Sequence, residues 1–206
     1  MIDFLNRIAR KSPTWTVYCL GALYPVWLLW QGLTGGLGIK PVKVMEHALG
    51  EAGLQLLIAG LCITPLRRYA GLNLLRFRRA VGLLSFSYIA LHLLGWLVLD
   101  VQIPSQIWAD ILKRPYITVG MAGFLLLIPL AVTSNTLSVR RLGRRWHRLH
   151  KLTYVAVLLG ALHFVMLAKG FQVEPLVFLG VIVALLALRM KPRKRAPHIV
   201  PGQGPV

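Results

Sequence analysis

The sequence predicts an all-α integral membrane protein, a six-transmembrane-helix bundle with both termini cytoplasmic. Three observations carry that expectation. Of the 206 residues 56% are apolar and only 15% are charged, and the mean hydropathy is +0.65, a balance outside the range of soluble domains. The apolar residues fall into six runs of roughly 20 residues, the helix length that spans a hydrocarbon core about 30 Å thick. The basic residues lie between those runs and favour alternate connections, as cytoplasmic loops do.

The first run, Pro13 to Leu33, follows a basic flank and so imitates a signal peptide. It is long, lacks a small-x-small cleavage site and enters a chain of similar runs, which reads as a retained helix. The segment TGGLGIKPVK, residues 34–43, turns the chain on its glycines and proline. The second run is His47 to Leu66 and the third Ala80 to Leu99. The longest connection, DVQIPSQIWADILKRP, carries Ile103, Ile107 and Ile111 at four-residue spacing and suits a short interfacial helix. The remaining runs are Tyr116 to Thr136, Leu149 to Ala168 and Pro175 to Met190. The chain thus divides into a membrane domain, residues 1–190, and a basic, Pro/Gly-rich cytoplasmic tail, residues 191–206, expected to be disordered.

Orientation follows from the basic residues. Nineteen of the 24 Lys and Arg side chains cluster at Arg7 to Lys11, Arg67 to Arg79, Arg140 to Lys151 and Arg189 to Arg195, all on one side of a six-span chain. That side is the cytoplasm. The formal charge of +18 would otherwise suggest nucleic acid as a partner. Topology accounts for it instead, and no nucleic acid is expected.

The histidines carry the chemistry. His92 lies twelve residues into the third run and His163 fourteen into the fifth, and both runs rise from the cytoplasmic side, so the two imidazoles share a depth in the outer half of the membrane. A single intramembrane histidine ordinarily links helices by a hydrogen bond. Two at matched depth on parallel helices fit the axial ligands of a haem iron, and a bis-histidine haem b between His92 and His163 is the sharpest deduction. No buried acid accompanies them, which disfavours nucleophilic catalysis and proton pumping. His150 stands at the cytoplasmic mouth of the fifth run, thirteen residues and on the order of 20 Å from His163. A second haem there needs a partner about fourteen residues before His92, and that position holds Arg78. A guanidinium has no lone pair for iron. Arg78 therefore pairs with haem propionates or lipid phosphate, and an inner haem is five-coordinate or absent. Thirteen residues are not a whole number of turns, so His150 and His163 share a face only if the helix winds differently near His150 or bends at Gly160.

Other candidates rank lower. His147 precedes His150 by one turn and cannot supply an opposite axial ligand; it reads as an interface or propionate contact. His47 either caps the second helix or faces a cofactor or quinone. His198, in the tail, needs no role. Trp15, Trp27, Trp30, Trp96, Trp108 and Trp146 read mostly as interfacial belts. Cys19 and Cys62, without CxxC or CxxCH spacing, read as small buried residues rather than a disulfide or a covalent haem attachment.

Four strings together resemble one family: LGRRWHRLHKLTY (Leu142 to Tyr154), KRPYITVG (Lys113 to Gly120), GGLGIKPV (Gly35 to Val42) and ITPLRR (Ile63 to Arg68). They are similar to the MsrQ (YedZ) family, haem-binding membrane subunits of the periplasmic protein-methionine-sulfoxide reductase system, and the likeness runs from the first helix to about Leu188. More distantly the six runs resemble the ferric reductase and NADPH oxidase transmembrane domain, in which two helices each give two histidines to two stacked haems. The resemblance implies that residues 1–190 form a ferric reductase-like haem-binding domain of the bacterial inner membrane. It implies haem b, one or two, together with FMN, which no motif here signals. Electrons would come from the quinone pool or a cytoplasmic flavin reductase and leave to a periplasmic molybdopterin-containing methionine sulfoxide reductase catalytic subunit that repairs oxidised envelope proteins. The sulfoxide chemistry would then occur on that partner, with this chain as the electron-transfer subunit. The family's haem ligands carry over to His92, His150 and His163, and Arg78 stands where the superfamily has its fourth histidine. No dinucleotide fingerprint follows the sixth run, so direct NADPH oxidation is not expected. The alternatives are a ferric-reductase-type cytochrome b with another acceptor and, from a different class, a small membrane transporter, which would need broken helices or midplane polar pairs.

Overall fold

A bilayer offers no water to loose backbone groups, so an apolar chain of this length satisfies them within helices. Among the described residues of the computed structural model, 1–168 and 172–190, there are ten α-helices and no strand. They are α1 (Ile2–Lys11), α2 (Trp15–Leu33), α3 (Pro41–Tyr69), α4 (Arg78–Leu94), α5 (Pro104–Lys113), α6 (Pro115–Val132), α7 (Thr136–Leu142), α8 (Arg144–Leu149), α9 (Leu152–Leu167) and α10 (Val173–Met190). The expected tail, residues 191–206 with His198, lies outside the described residues. Four helical stretches are long and apolar enough to cross a membrane: Pro41–Tyr69, Leu75–Val101, Pro115–Val132 and Arg144–Leu167. This is a multi-pass membrane protein. Two further long helices fall outside that criterion. α2 carries no charge but is diluted by three Trp, two Tyr and Gln31; α10 is apolar apart from Glu174 in its first turn and Arg189 in its last.

The bundle is built from two intimate helix pairs, α3 with α4 and α6 with α9. Small residues permit the approach. A Cβ on Gly53 would lie 2.6 Å from Ile89, and the Ser85 hydroxyl, wholly buried, donates to the Gly53 carbonyl at 2.7 Å. α10 closes the far side against α9 and α3, burying Ile182, Val157 and Leu61, while α2 lies along α3 and α4 with Leu28 inward. With lipid outside, helix association rests on such close packing and on hydrogen bonds rather than on hydrophobic transfer. The outward faces confirm the solvent: Leu20, Leu23 and Val26 of α2 are each more than 60% exposed.

Several expectations are corrected here. The N-terminal flank is itself a helix, α1, docked on the α3–α4 connection: Asn6 bonds Gly71 O and the Asn73 N–H, and Arg76 donates to the Ala9 and Arg10 carbonyls that end the helix. Cys19, expected to be buried, is exposed, because α2 sits at the bundle edge; Cys62 is half-buried. The fourth run ends at Val132 rather than Thr136. The Thr133 and Ser134 hydroxyls bond back to Pro129 O and Leu130 O, and Asn135 caps a new helix, its side chain accepting from the Ser138 N–H at 2.7 Å. The fifth run is broken at His150 and Lys151, where i to i+3 bonds replace the α pattern. The third run gives way at Gly95 to a π-helical segment, Gly95–Val101, which ends on Gln102 with φ 61°. The long connection does form a helix, α5.

Candidate metal centre

His92 leaves α4 one turn before its winding widens into the π segment, a local irregularity frequent at functional sites. Its ring crosses to α3, where Nδ1 lies 2.9 Å from the Glu46 carbonyl. His163 of α9 makes the same move toward α6, with Nδ1 2.7 Å from the Tyr116 carbonyl. A carbonyl only accepts, so both Nδ1 atoms carry the proton and both Nε2 lone pairs are free. A backbone carbonyl behind Nδ1 is the usual support of a metal-ligating imidazole.

The second half of each device is a glycine. A Cβ at Gly50 would stand 2.8 Å from His92 Nδ1, and one at Gly120 would stand 2.8 Å from His163 Nδ1. Each glycine lies four residues after the accepting carbonyl, one helical turn further on. The spacings Glu46, Gly50, Gly53 on α3 and Tyr116, Gly120, Gly123 on α6 are identical. Both helices therefore present the same notch, a bare turn and a carbonyl, and each notch holds one imidazole.

The rings face each other across α4 and α9 with centres 6.3 Å apart. A bond of about 2 Å from each Nε2 to one metal, plus roughly 1 Å from each nitrogen to its ring centre, gives a spacing of roughly 6 Å. The pair thus fits two axial ligands of one ion. Among the described residues no three His, Cys, Asp or Glu side chains come together. A bare ion would have two protein ligands only, whereas a porphyrin brings four of its own. The donor set fits a haem iron better than a free cation, in the manner of other bis-imidazole carriers.

His150 sits differently. Its Nε2 is 3.1 Å from the Thr133 hydroxyl oxygen, and that hydroxyl already donates to Pro129 O at 2.6 Å. The oxygen therefore accepts from a protonated Nε2, and the free lone pair of this ring is on Nδ1. Trp146 stacks on His150 with centres 3.9 Å apart and is fixed by its own bond to Thr133 O at 2.9 Å. Trp146, expected at the interface, is thus part of the His150 surroundings, as its spacing of four residues before His150 allows. His147 is exposed against Trp146. His47 is exposed too, and since α3 starts at Pro41 it caps nothing. Arg78, at the start of α4, lines a cavity with Arg189 and Tyr154 rather than meeting His150 as a ligand pair. The structure thus brings His92 and His163 together and sets His150 and Arg78 apart from them.

Comparison with known proteins agrees in kind. The family described as the ferric reductase like transmembrane component matches residues 49–161. A Brucella anthropi protein named protein-methionine-sulfoxide reductase heme-binding subunit MsrQ is 47% identical over 177 residues, 85% of this chain and 80% of its own. Proteins of the same name from Agrobacterium fabrum and Brucella ovis are 47% and 46% identical, covering 90% and 91% of this chain and 87% of each relative. No solved structure matches the chain.

Proposed function

The chain belongs to the ferric reductase-like transmembrane family and, within it, to the haem-binding subunits of protein-methionine-sulfoxide reductase, and from that premise we propose that it is the haem b electron-transfer subunit of such a system. The observation that carries the reading is the pair of imidazoles 6.3 Å apart, each with Nδ1 on a carbonyl of a different helix. His92 and His163 would hold the haem iron through their Nε2 atoms. When bound, the haem supplies a one-electron carrier. The chain's own contribution is orientation: the Glu46 and Tyr116 carbonyls hold the Nδ1 protons, raise the basicity of Nε2 and prevent either ring from turning away.

His150 and Arg78 serve an inner cofactor position, His150 as a ligand through the Nδ1 lone pair that its bond to Thr133 leaves free and Arg78 as counter-charge to an acidic group of cofactor or lipid. Haem number is one at the outer pair and a second only where His150 engages. FMN belongs to the reading on family resemblance. The donor is quinol or a cytoplasmic flavin reductase. A lateral cleft of about 480 Å³ lined by Tyr24, Glu51, Gln55 and Tyr88 supports the quinol, because a carboxylate-amide pair within a membrane helix suits an amphiphilic hydroxyl donor. The acceptor is a periplasmic molybdopterin-containing catalytic subunit, on which methionine sulfoxide is reduced. Six helices cross the bacterial inner membrane, α2 and α10 included, with both termini cytoplasmic; residues 1–190 are the ferric reductase-like domain and 191–206 a basic tail.

The test is a reconstituted chain of transfers. Protein reduced by a quinol or by a flavin reductase is mixed with the oxidised catalytic subunit and methionine sulfoxide. Re-oxidation of the b-type spectrum that requires both is expected. Re-oxidation by ferric chelates with none by the catalytic subunit would instead identify a ferric-reductase-type cytochrome, and protein without haem under full haem supply would favour a transporter.

A further inference from the structure

Pro65 interrupts α3 near its C-terminal end and, lacking an N–H, leaves the Leu61 carbonyl without its helical donor. Arg189 of α10 fills that place. Its Nη2 donates to Leu61 O at 2.6 Å and reaches Gly60 O at 3.3 Å, its Nε meets Leu61 O at 3.2 Å, and its Nη1 donates to the Tyr154 hydroxyl at 3.2 Å. All these partners are neutral, so the guanidinium is immobilised while its charge stays uncompensated. Against it opens a cavity of about 210 Å³, lined also by Thr64, Arg68, Tyr69, Arg78 and Tyr154. None of the chain's six acids lines it. Arg78 has Arg189 as a charged neighbour, and among the described residues no hydrogen-bond or ion-pair partner is found for its guanidinium.

Like charges gathered in a half-enclosed space repel unless an anion joins them. We propose that this cavity, between the ends of α3, α4, α9 and α10, binds a phosphate group, with Arg78 supplying the open fork and Arg189 a fixed positive charge. A guanidinium fork matches two phosphate oxygens at once. Tyr69 and Thr64 place further hydroxyl donors on the wall. Phosphate is favoured over a carboxylate because its tetrahedral oxygens meet a guanidinium fork and the wall hydroxyls at once, and basic pockets between membrane helices are a recurrent seat for phospholipid headgroups. The phosphate comes either from an anionic lipid or from a phosphorylated cofactor such as FMN. The inference deepens the role proposed above for Arg78, counter-charge to an acidic group of cofactor or lipid, and rests on that reading.

The experiment measures phosphorus per chain on the full-length, haem-replete protein after exhaustive detergent exchange, as isolated and after incubation with phosphatidylglycerol vesicles or with FMN. Wild type is expected to hold about one phosphate per chain, Arg78→Gln to hold it at least about tenfold more weakly, and Arg140→Gln, on the exposed face of α7, to match wild type. Mass spectrometry of the released species assigns the source as lipid or flavin. Wild type without phosphate under all three conditions, or Arg78→Gln holding as much as wild type, overturns the proposal. Should Arg78→Gln fail to fold, inorganic pyrophosphate is titrated against wild type: displacement of the bound phosphate supports the site, and full retention overturns it.

Discussion

Two glycines do for the candidate centre what no polar residue does: Gly50 and Gly120 clear the space that lets an imidazole lie flat against a helix and reach its carbonyl. Gly50→Ala and Gly120→Ala each place a methyl 2.8 Å from Nδ1, so the ring must turn and its carbonyl bond is lost. Weakening of haem retention by roughly 10- to 100-fold is expected, the usual effect of losing a metal ligand's outer support, read from haem content after gel filtration. Gly82→Ala, where nothing stands within 4 Å, is the control and should leave haem content unchanged. The histidines were legible in the sequence because an imidazole inside an apolar run is conspicuous. The glycines were not, since a helical glycine in a membrane span has many ordinary uses and only the facing ring gives this one its meaning. His150 was legible as a candidate and Trp146 stands one turn before it, but the Thr133 hydroxyl that holds its Nε2 comes from the end of another helix and could not be read from spacing.

At the scale of elements, α3 and α6 repeat one register, carbonyl, glycine, glycine at offsets of four and three, and each receives a histidine from the helix packed on it. The apolar runs foretold that these helices exist, although α3 begins six residues before its run, at Pro41, and ends three after it, at Tyr69. Their ends were less readable, because hydroxyl back-bonds at Thr133 and Ser134 and the Asn135 cap decide where α6 stops, and those are local hydrogen-bond choices invisible to hydropathy. The chain does wind differently near His150, where the α pattern breaks at His150 and Lys151, while α9 runs unbroken through Gly160. The Pro65 gap offers a second test. Arg189→Ala leaves the Leu61 carbonyl unpaired and is expected to lower stability by about 1–3 kcal/mol, seen as a lower Tm in detergent. Pro65→Ala restores the missing N–H, so in that background Arg189→Ala should cost measurably less. Equal losses in both backgrounds would mean that the arginine acts elsewhere.

For the whole molecule, charge and depth agree. The basic residues crowd the end where α3 finishes and α4 begins, while Glu46 and Tyr116 mark the opposite end with the imidazole pair. In the proposed topology the basic end lies in the cytoplasm and the pair in the outer half, on the side of the proposed acceptor. A green fluorescent protein fused after Val206 should then fluoresce, and an alkaline phosphatase fused there should be inactive; the reverse pattern would invert the proposed topology. The most direct measurement of the central claim is the low-temperature electron paramagnetic resonance spectrum of the oxidised protein with its His92→Ala and His163→Ala variants. A low-spin ferric signal of two imidazole ligands in wild type, absent from both variants while the chain remains folded, is the expected result. The same bis-imidazole signal persisting in either variant would contradict the pairing of His92 with His163.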